Sequence, residues 1–354
     1  MKIEDFRIAF LVHFSEMFNH YAPVWNKLKR DDFIIVVHGT EFERERTVEA
    51  CEEYQVHYVM LEDVLAEGHR FPFMVSNHAM HQFNGRPLIE AIAEKNIRFM
   101  YALGKARHNF SAWNNSYDLF LGFGPFHQEQ LARFDAPVVQ MGYPRYDIFF
   151  NGLPDLTPLK EQLQLDPEKE TLLWLPTWRE LSSVPAYAEK MAGLADEYNI
   201  IVKLHPLTQE EEPHIIELLA PLPFTAVITS VIDNVYLFAL ADKVICDYGG
   251  TAFGAIYLDK PLLLLNLPDA QQDPLAGAGS PDLMLRNDIV SLDTGSFHMI
   301  SDVLNNEAIW QQQQQRREQL RAYYFAPNYG HASEVAARAI LEAGDIIQRE
   351  RLTA

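Results

Sequence analysis

The chain has 354 residues, more than one hydrophobic core usually organises, and its 48% hydrophobic and 22% charged content suits two ordinary globular cores. Lysine and arginine number 29 against 49 aspartate and glutamate, so the net charge is 29 − 49 = −20. Such a surface repels phosphate polymers and anionic bilayers at long range, which argues against generic nucleic-acid binding and requires any anionic ligand to be held locally.

In chain order, short β-branched and aromatic runs alternate with stretches of helical period. Strands are expected at Ile8–Val12, Phe33–Val37, Val56–Met60, Phe73–Ser76, Arg98–Tyr101, Asp118–Gly122 and Val138–Gln140. Helices are expected at Ser15–Lys29, Pro87–Lys95 and Pro125–Phe134, with Pro87 and Pro125 in first turns, where a missing N–H costs nothing. The Gly-, Pro- and aromatic-rich segment Gly142–Pro158 reads as a linker. The pattern then restarts, with strands at Thr171–Leu175, Ile200–Lys203, Thr225–Ile228, Lys243–Cys246, Leu262–Leu265 and Ile289–Leu292. Its helices fall at Tyr187–Tyr198, Gln209–Ala220, Asn234–Ala241 and Ala252–Leu258. The Gly- and Pro-rich loop Pro268–Pro281 is a candidate mobile flap. The glutamine run Gln311–Gln315 belongs to a long helix, and a last helix covers His331–Gln348. The fold class is therefore α/β, with two Rossmann-like domains built on parallel sheets. They span 1–153 and 154–330, and 331–354 forms a helix that packs back across them.

Cys51 and Cys246 form no C-x-x-C pair, so neither a disulfide framework nor a zinc knuckle is indicated. No run approaches the ~20 apolar residues of a membrane span, and Ile8–Val12 is too short for a signal peptide. A cytoplasmic protein is expected.

Three segments carry chemistry. A hydrophobic strand ends at Asp247, Gly249 and Gly250 permit a tight turn, and a helix begins near Thr251. That helix start offers unpaired N–H donors and a partial positive charge that suit a diphosphate, and the Thr251 hydroxyl adds a donor. An ordinary strand–turn–helix junction with a threonine cap has the same spacing. Next, Lys203 and His205 leave one strand end two residues apart, so both reach the same rim. His205 suits donation to a phosphate oxygen or proton transfer, and a loop-capping imidazole is the bland alternative. Third, Thr177 and Arg179 follow the first strand of the second half. The guanidinium fork of Arg179 suits phosphate, and equally suits a structural salt bridge.

Together these segments resemble the CDP-glycerol glycerophosphotransferase family of teichoic-acid-type enzymes. The family patterns Pro-Thr-(Trp/Phe)-Arg, Lys-x-His-Pro and Asp-Tyr-Ser-Ser followed by Lys-Pro correspond to Pro176–Arg179, Lys203–Pro206, and Asp247–Gly250 with Lys260-Pro261. In the first half, Tyr117–Leu119 with Gly124–Phe126 and the stretch Gly142–Asp147 are similar to its motifs, as is Tyr329–Glu334 near the end. The resemblance spans about residues 97–342. It implies a GT-B fold whose two sheets face an interdomain cleft, and transfer of glycerol phosphate, or a related polyol phosphate, from a CDP-activated donor to a hydroxyl acceptor. His205, Gly250, Thr251 and Arg179 would contact the donor diphosphate, with Thr177, Lys203, Asp247 and Gly249 completing the pocket. The acceptor would be a polyol or glycan, lipid-linked in the family, which implies at most peripheral contact with the inner face of the membrane. Arg316, Arg317 and Arg321 form a candidate basic patch for that contact.

Two departures stand out. The family's paired serines are Gly249 and Gly250 here, and its Trp-His-Gly, whose histidine is thought to be the base, corresponds to Ala102-Leu103-Gly104. Leucine accepts no proton. His108 is the leading candidate to replace that base, and His38 the second. His78 and His81 sit three apart, but no third metal ligand is evident at matching spacing. No Asp-x-Asp, P-loop, dinucleotide fingerprint or G-x-S-x-G occurs, so no metal and no cofactor are expected. The alternatives are a GT-B nucleotide-sugar glycosyltransferase or epimerase, and a non-catalytic relative that binds the donor.

Overall fold

Ile8–Val12 and Phe33–Val37 are buried along their whole length, as strands covered on both faces must be. They are β1 and β2 of a seven-stranded sheet in the computed structural model, which describes residues 2–230, 232–277 and 279–353. The other members are β3 (Tyr58–Met60), β4 (Phe71–Ser76), β7 (Ala93–Phe99), β8 (Leu119–Gly122) and β9 (Val138–Gln140), and a small hairpin of β5 (Gln82–Phe83) and β6 (Arg86–Pro87) stands apart. Every pairing in the large sheet is parallel, in the order β3-β2-β1-β4-β7-β8-β9. A second parallel sheet contains β10 (Thr171–Leu175), β11 (Asn199–Lys203), β12 (Ala226–Ile228), β13 (Lys243–Cys246), β14 (Leu262–Leu265) and β15 (Ser291–Leu292), in the order β12-β11-β10-β13-β14-β15. In each sheet the chain builds outward on one side and then returns to build on the other. The reversal falls between β1 and β4 in the first sheet, and between β10 and β13 in the second.

Packing divides the chain into two units. The first comprises residues 1–101, 110–147 and 323–354, and the second 102–109 and 148–322. The sequence pattern divides the chain at 153/154, and packing divides it after Asp147 and places 102–109 in the second unit. The first core includes an aromatic cluster in which Phe10 meets Tyr21, Trp25 and Phe33 at centroid distances of 5.3–5.6 Å. The second gathers Leu172, Trp174, Ile200, Val202, Ile245 and Leu263 on one face of its sheet.

Local pattern misplaces elements where tertiary pairing or proline intervenes. The helix expected at Pro87–Lys95 stops at Ile92, because Ala93 already pairs with Phe71 and the strand runs from there. Pro213, which lacks an N–H, splits the expected Gln209–Ala220 helix into Thr208–Glu211 and Pro213–Leu219. The last helix is two, Ala332–Leu341 and Ala343–Thr353. Helix Glu307–Tyr324 carries the glutamine run, and its Gln313 is stitched to β14, accepting from the Leu262 amide at 3.1 Å and donating to its carbonyl at 2.7 Å. The candidate basic patch is not assembled as expected. Arg317 is buried and paired with Asp259 at 2.9 Å.

Two segments of the family resemblance meet inside the first unit. Asp147 accepts from the amides of Ala332 at 3.1 Å and Ser333 at 2.7 Å, capping a helix whose own N-cap, His331, makes no side-chain cap bond. Gly142, at φ +86°, permits that approach, since a Cβ there would stand 3.0 Å from the Ala332 Cβ. Asp147→Ala should leave two buried amides unsatisfied and lower unfolding stability by about 2–4 kcal/mol, read as a fall in denaturation midpoint, with Asp147→Asn intermediate. An unchanged midpoint would show that water replaces the cap.

Candidate functional site

In open parallel sheets ligands bind beyond the carboxyl ends of strands, at the point where strand order reverses. In the second unit that point lies between β10 and β13. β13 delivers Asp247, which is buried. One carboxylate oxygen accepts from the amides of Thr177 at 2.8 Å and Tyr248 at 2.6 Å, and the other from Ser183 at 2.7 Å. Asp247 thus ties the loops after β10 and β13 together, and its carboxylate is turned to protein amides rather than to a donor. Arg286 braces the same turn by donating to the Asp247 carbonyl at 2.6 Å.

Gly249 adopts φ +94°, a conformation that favours glycine, and its amide donates to Asp282 Oδ2 at 3.1 Å. One donor of the glycine turn is therefore already occupied. Gly250 stands at the N-cap of helix Thr251–Tyr257 without a side-chain cap. The Phe253 amide donates to the Gly250 carbonyl at 3.2 Å, which leaves the Thr251 and Ala252 amides without an intrahelical acceptor and with partial positive charge. Thr251 opens that helix, so its backbone N–H is among the donors the turn offers.

The loops after β10 and β11 supply cations and an imidazole. The His205 ring stacks on Trp178 at 4.8 Å with planes 4° apart, and the Arg179 guanidinium lies 4.1 Å from the centre of the Trp178 ring. His205 Nδ1 accepts from the Leu207 amide at 3.2 Å, which places the proton of the neutral ring on Nε2. Burial, then Lys105, Lys203 and Arg179 in that order, push the His205 pKa down to about 3. At neutral pH His205 is thus a neutral N–H donor rather than a base. Lys203 is buried and donates to the Leu204 carbonyl at 3.2 Å. Arg179, at φ +56°, is ion-paired with Glu211 at 2.5 Å, and its amide donates to Glu212 at 2.9 Å, as the salt-bridge alternative anticipates. With the guanidinium 53% exposed, such a pair contributes about 0–1 kcal/mol, so exchanging it for a phosphate costs little.

Lys105 was missed, because chain order places it in the first half. Its Nζ lies 5.7 Å from the centre of the Trp178 ring, and among nearby charges it has the largest effect on His205. The stretch that carries it lies against the glycine turn. A Cβ on Gly104 would stand 3.1 Å from the Gly249 Cα, and one on Gly250 would stand 3.6 Å from the Ala102 Cβ. Leu103 is fully buried, so no proton acceptor stands at that position. His108 follows in helix Ala106–Asn109 of the same unit, and its amide donates to the carbonyls of Lys105 at 3.0 Å and Leu275 at 3.2 Å. The loop expected to be a mobile flap is fastened to this stretch by the Ala106 amide on Ser280 Oγ at 3.1 Å, and its Ala278 lies outside the described residues. His38, His78 and His81 belong to the first unit. Among the described residues no group of three or more His, Cys, Asp or Glu is arranged to hold a metal ion.

A model of the family described as CDP-Glycerol:Poly(glycerophosphate) glycerophosphotransferase matches residues 11–272. The teichoic acid glycerol-phosphate primase of Bacillus spizizenii is 31% identical over 136 residues, 35% of this chain and 33% of that protein. The teichoic acid poly(glycerol phosphate) polymerase of Bacillus subtilis is 25% identical over 191 residues, 49% of this chain and 25% of its own length. The matched regions span about a third or less of these relatives. Among solved structures, the wall teichoic acid polymerase TagF in a CDPG-soaked form superposes at TM-score 0.64 with 16% identity, over 98% of this chain and 89% of that one. The UDP-GlcNAc 2-epimerase of Neisseria meningitidis bound to UDP-GlcNAc does so at 0.58 with 15% identity, over 95% and 99%. At those identities the likeness concerns the fold, which is of the GT-B type.

Burial raises the Asp247 carboxyl to about 6, above the ~3.9 of an unfolded aspartate. Between those values the folded chain keeps a proton that the unfolded chain has released, so this group's contribution to stability falls as pH rises from about 4 to about 6. Asp247→Asn lacks that fall. The gap between wild-type and variant urea midpoints should therefore be widest near pH 4 and narrow towards pH 6. A constant gap across that window would show that the hydrogen bonds to the carboxylate at least balance burial, so that its pKa is not raised.

Proposed function

Because the chain belongs to the CDP-glycerol:poly(glycerophosphate) glycerophosphotransferase family, we propose that it transfers glycerol phosphate, or a related polyol phosphate, from a CDP-activated donor to a hydroxyl acceptor in surface-polymer synthesis. The observation that carries this reading is the group at the second sheet's reversal point. There Lys105, Lys203, Arg179 and a neutral His205 gather in a protein of net charge −20, beside an uncapped glycine turn. Glu211 pairs with Arg179, and Asp273, Asp282 and Glu180 act on Lys105, so the cations are partly balanced by protein carboxylates, and a phosphate arriving at the uncapped turn would compete for them.

In this reading the acceptor hydroxyl attacks the donor's β-phosphorus, the bond to the bridging oxygen breaks, and CMP departs with the electron pair. Charge grows on the leaving phosphate, where preorganised donors act most strongly. The Gly250 and Thr251 amides, His205 Nε2–H, Arg179 and Lys105 serve as those donors, with Lys203 adding charge and Thr177 and Asp247 shaping the loops. With Leu103 at the family's base position, His108 is our candidate to take the hydroxyl proton. No helix among the described residues is long and apolar enough to cross a membrane, and a cytoplasmic site with peripheral approach to a lipid-linked acceptor is the arrangement we favour.

The likeness of fold to a UDP-sugar epimerase makes a UDP-sugar donor the competing reading, and Leu103 makes donor binding without transfer the other. At a hundredfold excess over its Kd a bound donor adds about 2.7 kcal/mol, roughly 5–10 °C in unfolding midpoint. CDP-glycerol should produce that shift and UDP-GlcNAc should not. Lys105→Ala should weaken transition-state binding, lowering kcat/KM for CMP release about tenfold to hundredfold, and His108→Gln should lower kcat with little change in the CDP-glycerol shift. A UDP-specific shift would replace the proposal with the epimerase-like reading, and a CDP-glycerol shift without CMP release would reduce it to binding.

A further inference from the structure

Four histidines that the proposed transfer does not use gather in the first unit, all beyond the carboxyl ends of its parallel strands. His13 follows β1, His38 follows β2, and His78 and His81 follow β4. The His13 and His78 rings are 4.4 Å apart with their Nε2 atoms at 3.2 Å, His78 and His81 are 4.9 Å apart, and His38 and His81 are 4.5 Å apart. The quartet lies where this sheet's strand order reverses, between β1 and β4, the place where open α/β sheets bind ligands. Gly39, at φ +129°, holds the turn after β2 against His13, since a Cβ there would stand 2.5 Å from the His13 carbonyl oxygen.

The hydrogen bonds assign the protons. His78 Nδ1 accepts from the Met80 amide at 3.4 Å, so its proton sits on Nε2 and is donated to His13 Nε2, leaving His13 with its own N–H on Nδ1. His81 Nε2 is buried without a hydrogen-bond partner. Burial and then the neighbouring rings of His78, His81 and His38 drive the His13 pKa down to about 2, and burial is also the largest cause of the lowered values of His38 and His81. The charged side chains around the cluster are largely committed elsewhere. Glu43 accepts from the Ser15 amide at 2.8 Å with Arg46 3.9 Å away, and Arg44 is paired with Glu62 at 2.5 Å, the two acting on His38 with opposite sign.

We propose that this quartet is an oxyanion site, binding a phosphate group of a ligand of this protein and taking up protons as it does so. Four adjacent imidazoles stay neutral because burial disfavours charge on each and charges on neighbouring rings would also repel. A phosphate cancels that repulsion, and each ring that protonates gains a second N–H to donate to it. Among the described residues the four rings do not form a group that could hold a metal ion. The inference does not need the transfer reading. Within that reading, the phosphate would belong to the accepting chain.

Sulfate is the probe, because it remains a dianion from pH 6 to 8 and any pH dependence belongs to the protein. Calorimetric titration of the full chain should show affinity rising about tenfold per pH unit between pH 8 and pH 6 for each proton taken up, with that uptake confirmed in two buffers of different ionisation heat. The pH-dependent step should weaken at least tenfold in His13→Gln/His81→Gln and persist in Arg179→Ala, which tests for sulfate in the second unit. If the double variant does not fold, His38→Gln alone should reduce the protons taken up. Sulfate binding that is absent, independent of pH, or unchanged in these histidine variants overturns the proposal. CDP-glycerol binding is measured separately, so either reading can fail without the other.

Discussion

The candidate site depends on one carboxylate placed where carboxylates are costly. Asp247 is buried at the end of β13, and the energy of keeping it there is returned chiefly through three backbone amides, two from the segment after β10 and one that follows β13. Those bonds fix the positions of Thr177, Ser183 and Tyr248, and through them the glycine turn, the Trp178–His205 stack and the uncapped helix start. The residue that the motif presents as a ligand contact is therefore the fastening that gives the surrounding donors their geometry.

The first unit uses the same device. Asp147 turns its carboxylate to the amides of Ala332 and Ser333 and so closes the C-terminal segment onto the sheet that begins the chain. Both units are thus parallel sheets tied by a buried aspartate, and both carry imidazole beyond the carboxyl ends of their strands, four rings in the first unit and one in the second. They differ in electrostatics. In the second unit three cations surround one histidine, whereas in the first four histidines surround one another, with Arg44 acting on His38 and paired with Glu62. A standing positive field suits a diphosphate that must be held while its charge redistributes. A cluster that charges only on occupancy suits an anion that comes and goes.

The overall charge of −20 sharpens both arrangements. Long-range attraction for anions is absent, so affinity must come from short, directed donors. Arg179 is already paired with Glu211 in an exposed geometry whose loss costs little. Asp282, by contrast, is buried and accepts the Gly249 amide, so the turn enters any donor complex with one of its amides already satisfied.

Six strands formed at the residues their apolar runs specify: Ile8–Val12, Phe33–Val37, Val138–Gln140, Thr171–Leu175, Lys243–Cys246 and Leu262–Leu265. A strand in a parallel sheet is commonly shielded on both faces, and that demand is written locally as an unbroken hydrophobic segment. The α/β class, the family and the strand-end motifs were legible for the same reason, since each resides within a few consecutive residues. What only the tertiary structure decided joins residues far apart in the chain: Lys105 beside Trp178, His13 and His38 beside His78 and His81, Asp247 as a tie between loops, and 102–109 in the second unit. Two groups tens of residues apart leave no periodic trace of their contact, because the pairing is set by sheet order and loop closure rather than by any property of either neighbourhood.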